Sequence, residues 1–269
     1  MPFGGESSRT MADTLVAGHY PHALHILVAD DDAFNREMST DSLKRHFGNA
    51  VVHWVGDGRQ AVELMALHDF DLVLMDMQMP VMNGIEATRY IREQLKGHNR
   101  LVPIIALTAT IMEEEIREVL ASGMNAYLAK PYQPGALAQI IADTLQLSAQ
   151  TETGPNANET INNLEVDGDQ SRFDLAFLRD FCGNDEDQMQ YFLEKFKNQW
   201  PVEMDRLKTA LEAEDREAIA KAAHRFRPQL DFVGLKHDAA LVFKLEQLAR
   251  DERSFNEIQS IFSLLKGWQ

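Results

Sequence analysis

The chain has a single cysteine, Cys182, so no disulfide can form within it, and a reducing compartment is expected. Basic residues are also scarce. Lys and Arg total 26 against 42 Asp and Glu, which gives a net charge of -16 and a pI near 4.9. That balance argues against a nucleic-acid-binding surface, which needs a basic patch to replace counterions. A soluble protein that meets basic partners or binds cations fits that balance. No run approaches the ~20 apolar residues of a membrane span. The opening stretch MPFGGESSRTMADTLVAGHY has no apolar core of the kind a signal peptide needs. A cytoplasmic location is therefore expected, with residues 1–23 as a disordered N-terminal tail in which Met11 could serve as a second start. There is no internal repeat.

Residues 24–147 alternate two kinds of segment. Apolar runs Ile26–Ala29, Ala50–Val55, Leu72–Met75, Val102–Leu107 and Ala126–Ala129 read as strands. Amphipathic stretches Phe34–Phe47, Gly58–Leu67, Gly84–Leu95, Glu113–Ser122 and Pro134–Leu145 read as helices. The strands are continuously apolar, which implies burial on both faces and hence a parallel sheet. Five βα units predict a five-stranded, doubly wound α/β domain. Residues 148–170 are polar, rich in Asn, Thr and Gly, and aperiodic, as in a flexible linker. Residues 171–269 carry only helical patterns: Phe173–Phe181, Glu186–Asn198, Pro201–Glu212, Arg216–Val233, His237–Asp251 and Phe255–Leu265. Short loops between them predict an antiparallel bundle. Asp185 and Asp215 fit N-caps, Pro201 a first helical turn and Gly234 a helix stop.

In a doubly wound sheet, ligands bind at the carboxyl ends of the strands. The first strand ends in Asp30, Asp31 and Asp32, the third in Asp76, the fourth in Thr108 and the fifth in Lys130. Packing like charges at a buried strand end costs electrostatic energy unless something compensates. A hard divalent cation would do so, since Mg²⁺ takes carboxylates, waters and a phosphate oxygen. Asp32 has a simpler use as the N-cap of the helix from Phe34, and Lys130 alone would read as a solvated surface lysine. It is the joint occurrence at four strand ends that points to a site.

The stretches ILVADDD, VLMDMQMPVMNG, PIIALTA and AYLAKP resemble the response-regulator receiver family over about residues 24–147. The resemblance implies a flavodoxin-like fold with Asp76 as phosphoacceptor. It implies Mg²⁺ held by Asp31, Asp76 and the backbone carbonyl of Gln78, with Asp30 supporting the metal through water. Lys130 and Thr108 would then bind the phosphoryl oxygens, the Lys130–Pro131 bond would be cis, and Tyr127 would switch rotamer with Thr108. The roles are physically consistent, because phosphoryl transfer needs little beyond positioning and neutralisation of the transferring oxygens. Two rivals fit less well. A haloacid-dehalogenase-type hydrolase wants a second Asp where Gln78 stands, and a flavodoxin phosphate site would be repelled by three aspartates.

In the bundle, Ile219, Ala223, Phe226, Leu230 and Val233 form a stripe at helical spacing. His224 lies about 200° round the helix from Phe226 and is expected to face solvent, with Ala220, Arg227, Pro228 and Asp231 on its side. Small neighbours would let a partner approach, and Arg227 could pair with a phosphoryl group on the ring. AAHRFRPQLDFVGL, with FCGNDEDQMQYFLEKF upstream, resembles the histidine phosphotransfer (HPt) family and its motif H-x-x-K-G over about residues 171–269. That resemblance makes His224 the phosphohistidine. Arg227 replaces the usual lysine, Pro228 the usual glycine, with an expected helix kink, and Asp231 adds negative charge.

The expectation is a two-component phosphorelay protein, or the C-terminal part of a hybrid sensor kinase. Its partners would be a sensor histidine kinase or another response regulator. The chain has no Gly-rich ATP-binding motif, so its only expected catalysis is of its own Asp phosphorylation and dephosphorylation. The alternative is a phosphorylation-controlled binding switch in which the bundle is a docking or dimerisation module and His224 is not phosphorylated.

Overall fold

The computed structural model describes residues 23–109, 113–145, 174–251 and 255–265. The expected tail up to residue 22 and the expected linker, 148–170, lie outside the described residues. The chain divides into two compact units, one containing every described strand and the other only helices.

The first unit runs β1 (His25–Ala29), α1 (Ala33–His46), β2 (Val51–Val55), α2 (Gly58–Met65), β3 (Leu72–Asp76) and α3 (Gly84–Gln94). A 3₁₀ turn, β4 (Ile104–Thr108), α4 (Glu113–Ala121), β5 (Ala126–Ala129) and α5 (Pro134–Thr144) complete it. All strand pairs are parallel in the order β2-β1-β3-β4-β5. Successive residues of the central strands enter opposite cores. Leu27, Val73, Met75 and Ala106 pack with Val62 and Ile91 on one face. Ile26, Val28, Leu74 and Leu107 pack with Leu43, Leu137 and Ile141 on the other. This double burial, stabilising by roughly 1.5–3 kcal/mol per large side chain, is why the central strands read as unbroken apolar runs. The expectation of burial on both faces is corrected for the edge strands: β2 exposes Val51 and Trp54, and β5 is only half-buried, because no described strand pairs with their outer edges.

Side-chain caps set the helix starts. Asp32 accepts from the Asn35 amide, as its position predicts, and Asp57 from that of Gln60. Asn83 and Glu86 form a reciprocal capping box at the start of α3. Gly84 is sterically required there: a Cβ would sit 2.3 Å from the Asp76 carbonyl oxygen. The loop after β3 therefore folds directly under the strand end that carries Asp76.

The second unit comprises α6 (Ala176–Phe181), α7 (Glu186–Glu212), α8 (Arg216–Phe232), α9 (Lys236–Arg250) and α10 (Phe255–Phe262). Asp185 and Asp215 cap α7 and α8 as expected. One expectation is corrected: the two helices predicted on either side of Pro201 are the single helix α7. Pro201 lies on the exposed face, as does Lys197, whose carbonyl loses its partner to the proline and can bond water instead. The buried stripe Phe196, Trp200 and Leu207 runs through the break. Trp200 packs edge-on against Phe226 of α8 at 5.3 Å and Phe196 at 5.7 Å, which favours continuing the helix. Helix α8 likewise continues through Pro228. The predicted stripe is the core contact of α8: Ile219, Ala223, Phe226, Leu230 and Val233 are all fully buried. Among the described residues, no helix is long and apolar enough to cross a membrane.

Candidate functional site

The register of the sheet brings the predicted strand-end residues together. Asp76 is the last residue of β3 and pairs with Leu107; Thr108 ends β4 and pairs with Ala129. Asp30 follows β1, and Lys130 follows β5 and is joined to Pro131 by a cis bond. Asp30, Asp31 and Asp76 each offer a carboxylate oxygen within 4.8 Å of the others. Lys130 Nζ donates to Asp30 Oδ2 at 2.5 Å and to Asp76 Oδ2 at 2.9 Å. The Gln78 amide donates to Asp76 Oδ1 at 3.3 Å, so Gln78 turns back over the same carboxylate. Thr108 is buried beside the Lys130 amide, which donates to the Thr108 carbonyl at 2.7 Å. Tyr127 is half-buried and packs on the core beneath.

Burial sets the electrostatics. Desolvation pushes the Asp30 carboxyl up to about 7 although Lys130 pulls it down, and the Asp76 charge adds to the rise. Lys130 is also desolvated, yet the two carboxylates outweigh that and hold it above its ordinary value, hence charged. The donor set is three hard oxygens, which fits an oxygen-ligated divalent cation such as Mg²⁺.

Sequence reasoning missed the groups that hold this crevice from outside. Ser39 of α1 and the buried Tyr132 share a hydrogen bond of 2.6 Å. Arg36, also on α1, donates to the Asp30 carbonyl at 2.7 Å. The only signal for Arg36 was its place on the first turn of the helix that follows the aspartates.

In the bundle, the expected solvent-facing histidine is corrected. The His224 side chain is 12% exposed, and Ala220 and Pro228 beside it are buried. Helix α9 packs along this flank of α8, and its Glu246 accepts a bond of 2.9 Å at His224 Nδ1. Glu246 also accepts from Arg250 Nη2 at 2.8 Å. Burial alone would raise the Glu246 carboxyl, but the bond and charge of His224, with those of Arg250, bring it below its ordinary value. An ionised carboxylate can only accept, so Nδ1 carries a proton, and whenever the ring is neutral it is Nε2 that keeps the lone pair. Arg227 is engaged locally. Its guanidinium stacks on Phe243 at 4.5 Å and its Nε lies 3.7 Å from Asp231 Oδ2. Desolvation raises the Asp231 carboxyl although Arg227 opposes it. Glu246 is 22 residues from His224 on another helix, and no local pattern links the two.

Residues 26–142 match the family model of the response regulator receiver domain, and residues 192–267 that of the Hpt domain. The sensor histidine kinase AruS of Pseudomonas aeruginosa is 38% identical over 121 residues, 45% of this chain and 12% of that protein. The sensor histidine kinase GacS of Pseudomonas protegens is 29% identical over 235 residues, 86% of this chain and 25% of that protein. The chain thus spans a quarter or less of the length of these relatives. Among solved structures, the receiver domain of the Pseudomonas aeruginosa sensor histidine kinase PA1611, with a magnesium ion in its active-site cleft, is similar at a TM-score of 0.42 and 36% identity. That match covers 46% of this chain and 98% of the other.

Proposed function

We propose that this chain, which carries a response regulator receiver domain followed by an Hpt domain, relays a phosphoryl group through Asp76 and His224. The observation that carries the reading is the convergence of Asp30, Asp31 and Asp76 within 4.8 Å, with Lys130 bonded to two of them. Asp31, Asp76 and the carbonyl of Gln78 would hold Mg²⁺, with Asp30 supporting it through water. When bound there, the cation would supply neutralisation of charge on the transferring phosphoryl oxygens.

Asp76 supplies the nucleophile. A carboxylate oxygen forms the bond to phosphorus as the P–N bond of a kinase's phosphohistidine breaks and its electron pair returns to the imidazole. Lys130 turns from the Asp76 carboxylate to the phosphoryl oxygens, and the Thr108 hydroxyl donates to one of them. In the bundle, His224 Nε2 attacks the aspartyl phosphate of a receiver and the P–O bond breaks to release a carboxylate. The Nδ1 proton stays in place, and the cationic ring that results is balanced by Glu246, so no proton need move. Partners of this chemistry are a sensor histidine kinase and a response regulator; the single cysteine fits a cytoplasmic setting.

A second reading, a binding switch with an idle His224, has one observation in its favour: Arg227 is held by Asp231 and Phe243 instead of pointing free. Labelled phosphodonor separates the two readings. Asp76→Asn should abolish labelling by acetyl phosphate, and Asp31→Asn should weaken Mg²⁺ binding. Unchanged labelling of the Asp76→Asn protein overturns the acceptor assignment. Absence of label on His224 with several phosphorylated receivers replaces the relay with the switch.

A further inference from the structure

The main chain at the first strand end is held from two sides. The Asp30 amide donates to the Val55 carbonyl of β2 at 3.1 Å. The Asp30 carbonyl accepts from Arg36 Nη1 at 2.7 Å. The Arg36 guanidinium in turn lies 4.9 Å from the ring centroid of Trp54 on the edge strand β2. Trp54 is 59% exposed, so hydrophobic burial does not explain the choice of a large aromatic there; covering the arginine does. Arg36 acts on the backbone. Lys130, by contrast, occupies carboxylate oxygens of Asp30 and Asp76. Arg36 therefore competes with no metal for a ligand atom.

We propose that Arg36, braced by Trp54, is a positioning residue for the metal end of the crevice. It fixes the peptide between Asp30 and Asp31 so that the Asp31 carboxylate points toward Asp76 against their mutual repulsion. This rests on the reading of the crevice as a Mg²⁺ site. Two effects of Arg36 have opposite signs, which makes the role testable. As a bare positive charge near a cation site, Arg36 would repel Mg²⁺, and its removal would tighten binding. As a brace for the ligands, its removal loosens binding. A planar guanidinium can bond the carbonyl and stack on the indole together, and a lysine ammonium cannot reproduce that pair of contacts.

The test is calorimetric Mg²⁺ titration of the full chain, wild type against Arg36→Gln, Arg36→Lys and Trp54→Ala, with melting points without metal as a check on folding. Arg36→Gln is expected to weaken Mg²⁺ binding about tenfold and Arg36→Lys nearly as much, although lysine keeps the charge. Trp54→Ala is expected to weaken it about threefold. Labelling by acetyl phosphate should shift to higher Mg²⁺ with little change in maximal rate. Equal or tighter Mg²⁺ binding by Arg36→Gln overturns the proposal. If that variant does not fold, unchanged affinity in both Arg36→Lys and Trp54→Ala overturns it. A wild type that binds no Mg²⁺ overturns the metal reading itself, whereas wild-type binding with unaffected variants overturns only the role of Arg36.

Discussion

His224 Nδ1 and Glu246 Oε1 lie 2.9 Å apart, so one carboxylate bridges the imidazole on α8 to the Arg250 guanidinium on α9. In the neutral ring this contact selects the Nδ1–H tautomer, and in the proposed relay it would leave Nε2 as the nucleophile and supply the counter-charge for a phosphorylated ring. Glu246→Gln keeps the size and can still bond Nδ1, but loses the charge. It is expected to slow transfer from a phosphorylated receiver to His224 by about tenfold, equivalent to about 1.4 kcal/mol in the barrier. Glu246→Ala, which also frees the ring, should cost more. Single-turnover rates of label transfer test both, and equal rates for wild type and Glu246→Gln would remove Glu246 from the mechanism.

The same carboxyl predicts a pH dependence of stability. Its value in the folded chain lies below the ordinary 4.5, although burial opposes this. A depressed carboxyl contributes stability that is present above 4.5 and is lost as the pH falls through the folded value. Wild type should therefore lose its stability advantage over Glu246→Gln as the pH falls below about 4.5. Melting curves of both proteins from pH 6 to pH 3 provide the measurement; a difference that stays constant across that range contradicts the shift.

Much of this geometry was visible in the residue pattern, and most of the part that was not lies in contacts between elements. Strands buried on both faces leave a one-dimensional signature, so the ends carrying Asp30, Asp76 and Thr108 could be located from apolar runs alone; the half-buried edge strand before Lys130 is apolar in sequence as well. The stripe from Ile219 to Val233 likewise marks the inner face of α8. A helical wheel does not say what packs on the flank, so His224 reads as exposed when α9 in fact covers it. Glu246 acts across a tertiary contact with no fixed spacing to His224, as Arg36 does toward Trp54; only the bond of Arg36 to the Asp30 carbonyl six residues back is local. Pro201 misleads for another reason: local propensity predicts a break, but aromatic packing at Phe196 and Trp200 outweighs it.

Pro201 therefore sits in a helix interior at a cost. Pro201→Ala restores the bond to the Lys197 carbonyl and removes the ring clash, partly offset by greater freedom of the unfolded chain. A net stabilisation of about 1–2 kcal/mol is expected, read as a rise in the urea midpoint with unchanged m-value. A fall in the midpoint would mean that the proline shapes α7 in a way the bundle needs.

The Ser39–Tyr132 pair behind the crevice should respond asymmetrically. Ser39 Oγ also donates to the Asn35 carbonyl at 2.9 Å, so the Tyr132 hydroxyl is the donor in the 2.6 Å bond between the pair. Burial raises the Tyr132 hydroxyl to about 12, so it keeps its proton throughout the neutral range. Tyr132→Phe removes the donor and should cost about 1 kcal/mol, whereas Ser39→Ala strands a buried hydroxyl and should cost about 1–3 kcal/mol. The double variant should be no worse than Ser39→Ala alone. Denaturant unfolding of the three proteins checks the order.

Asp231 is the residue through which the bundle restrains its own arginine. It holds Arg227 Nε at 3.7 Å on the helix of His224, and it adds a negative charge to a surface that would meet another acidic crevice. Asp231→Asn removes that charge and releases the guanidinium for a phosphoryl oxygen. Both effects favour transfer to His224, so the rate should rise about three- to tenfold, or about 0.6–1.4 kcal/mol. The two contributions separate by salt. Repulsion between docking surfaces is screened, since the Debye length shrinks from about 30 Å at 0.01 M to 10 Å at 0.1 M, while a direct Arg227 contact with the phosphoryl group is screened much less. A gain that fades with salt assigns the effect to docking, and one that persists assigns it to Arg227. Arg227→Ala should then cancel the persistent part. If Asp231→Asn leaves the rate unchanged at low and high salt alike, Asp231 restrains neither docking nor the arginine.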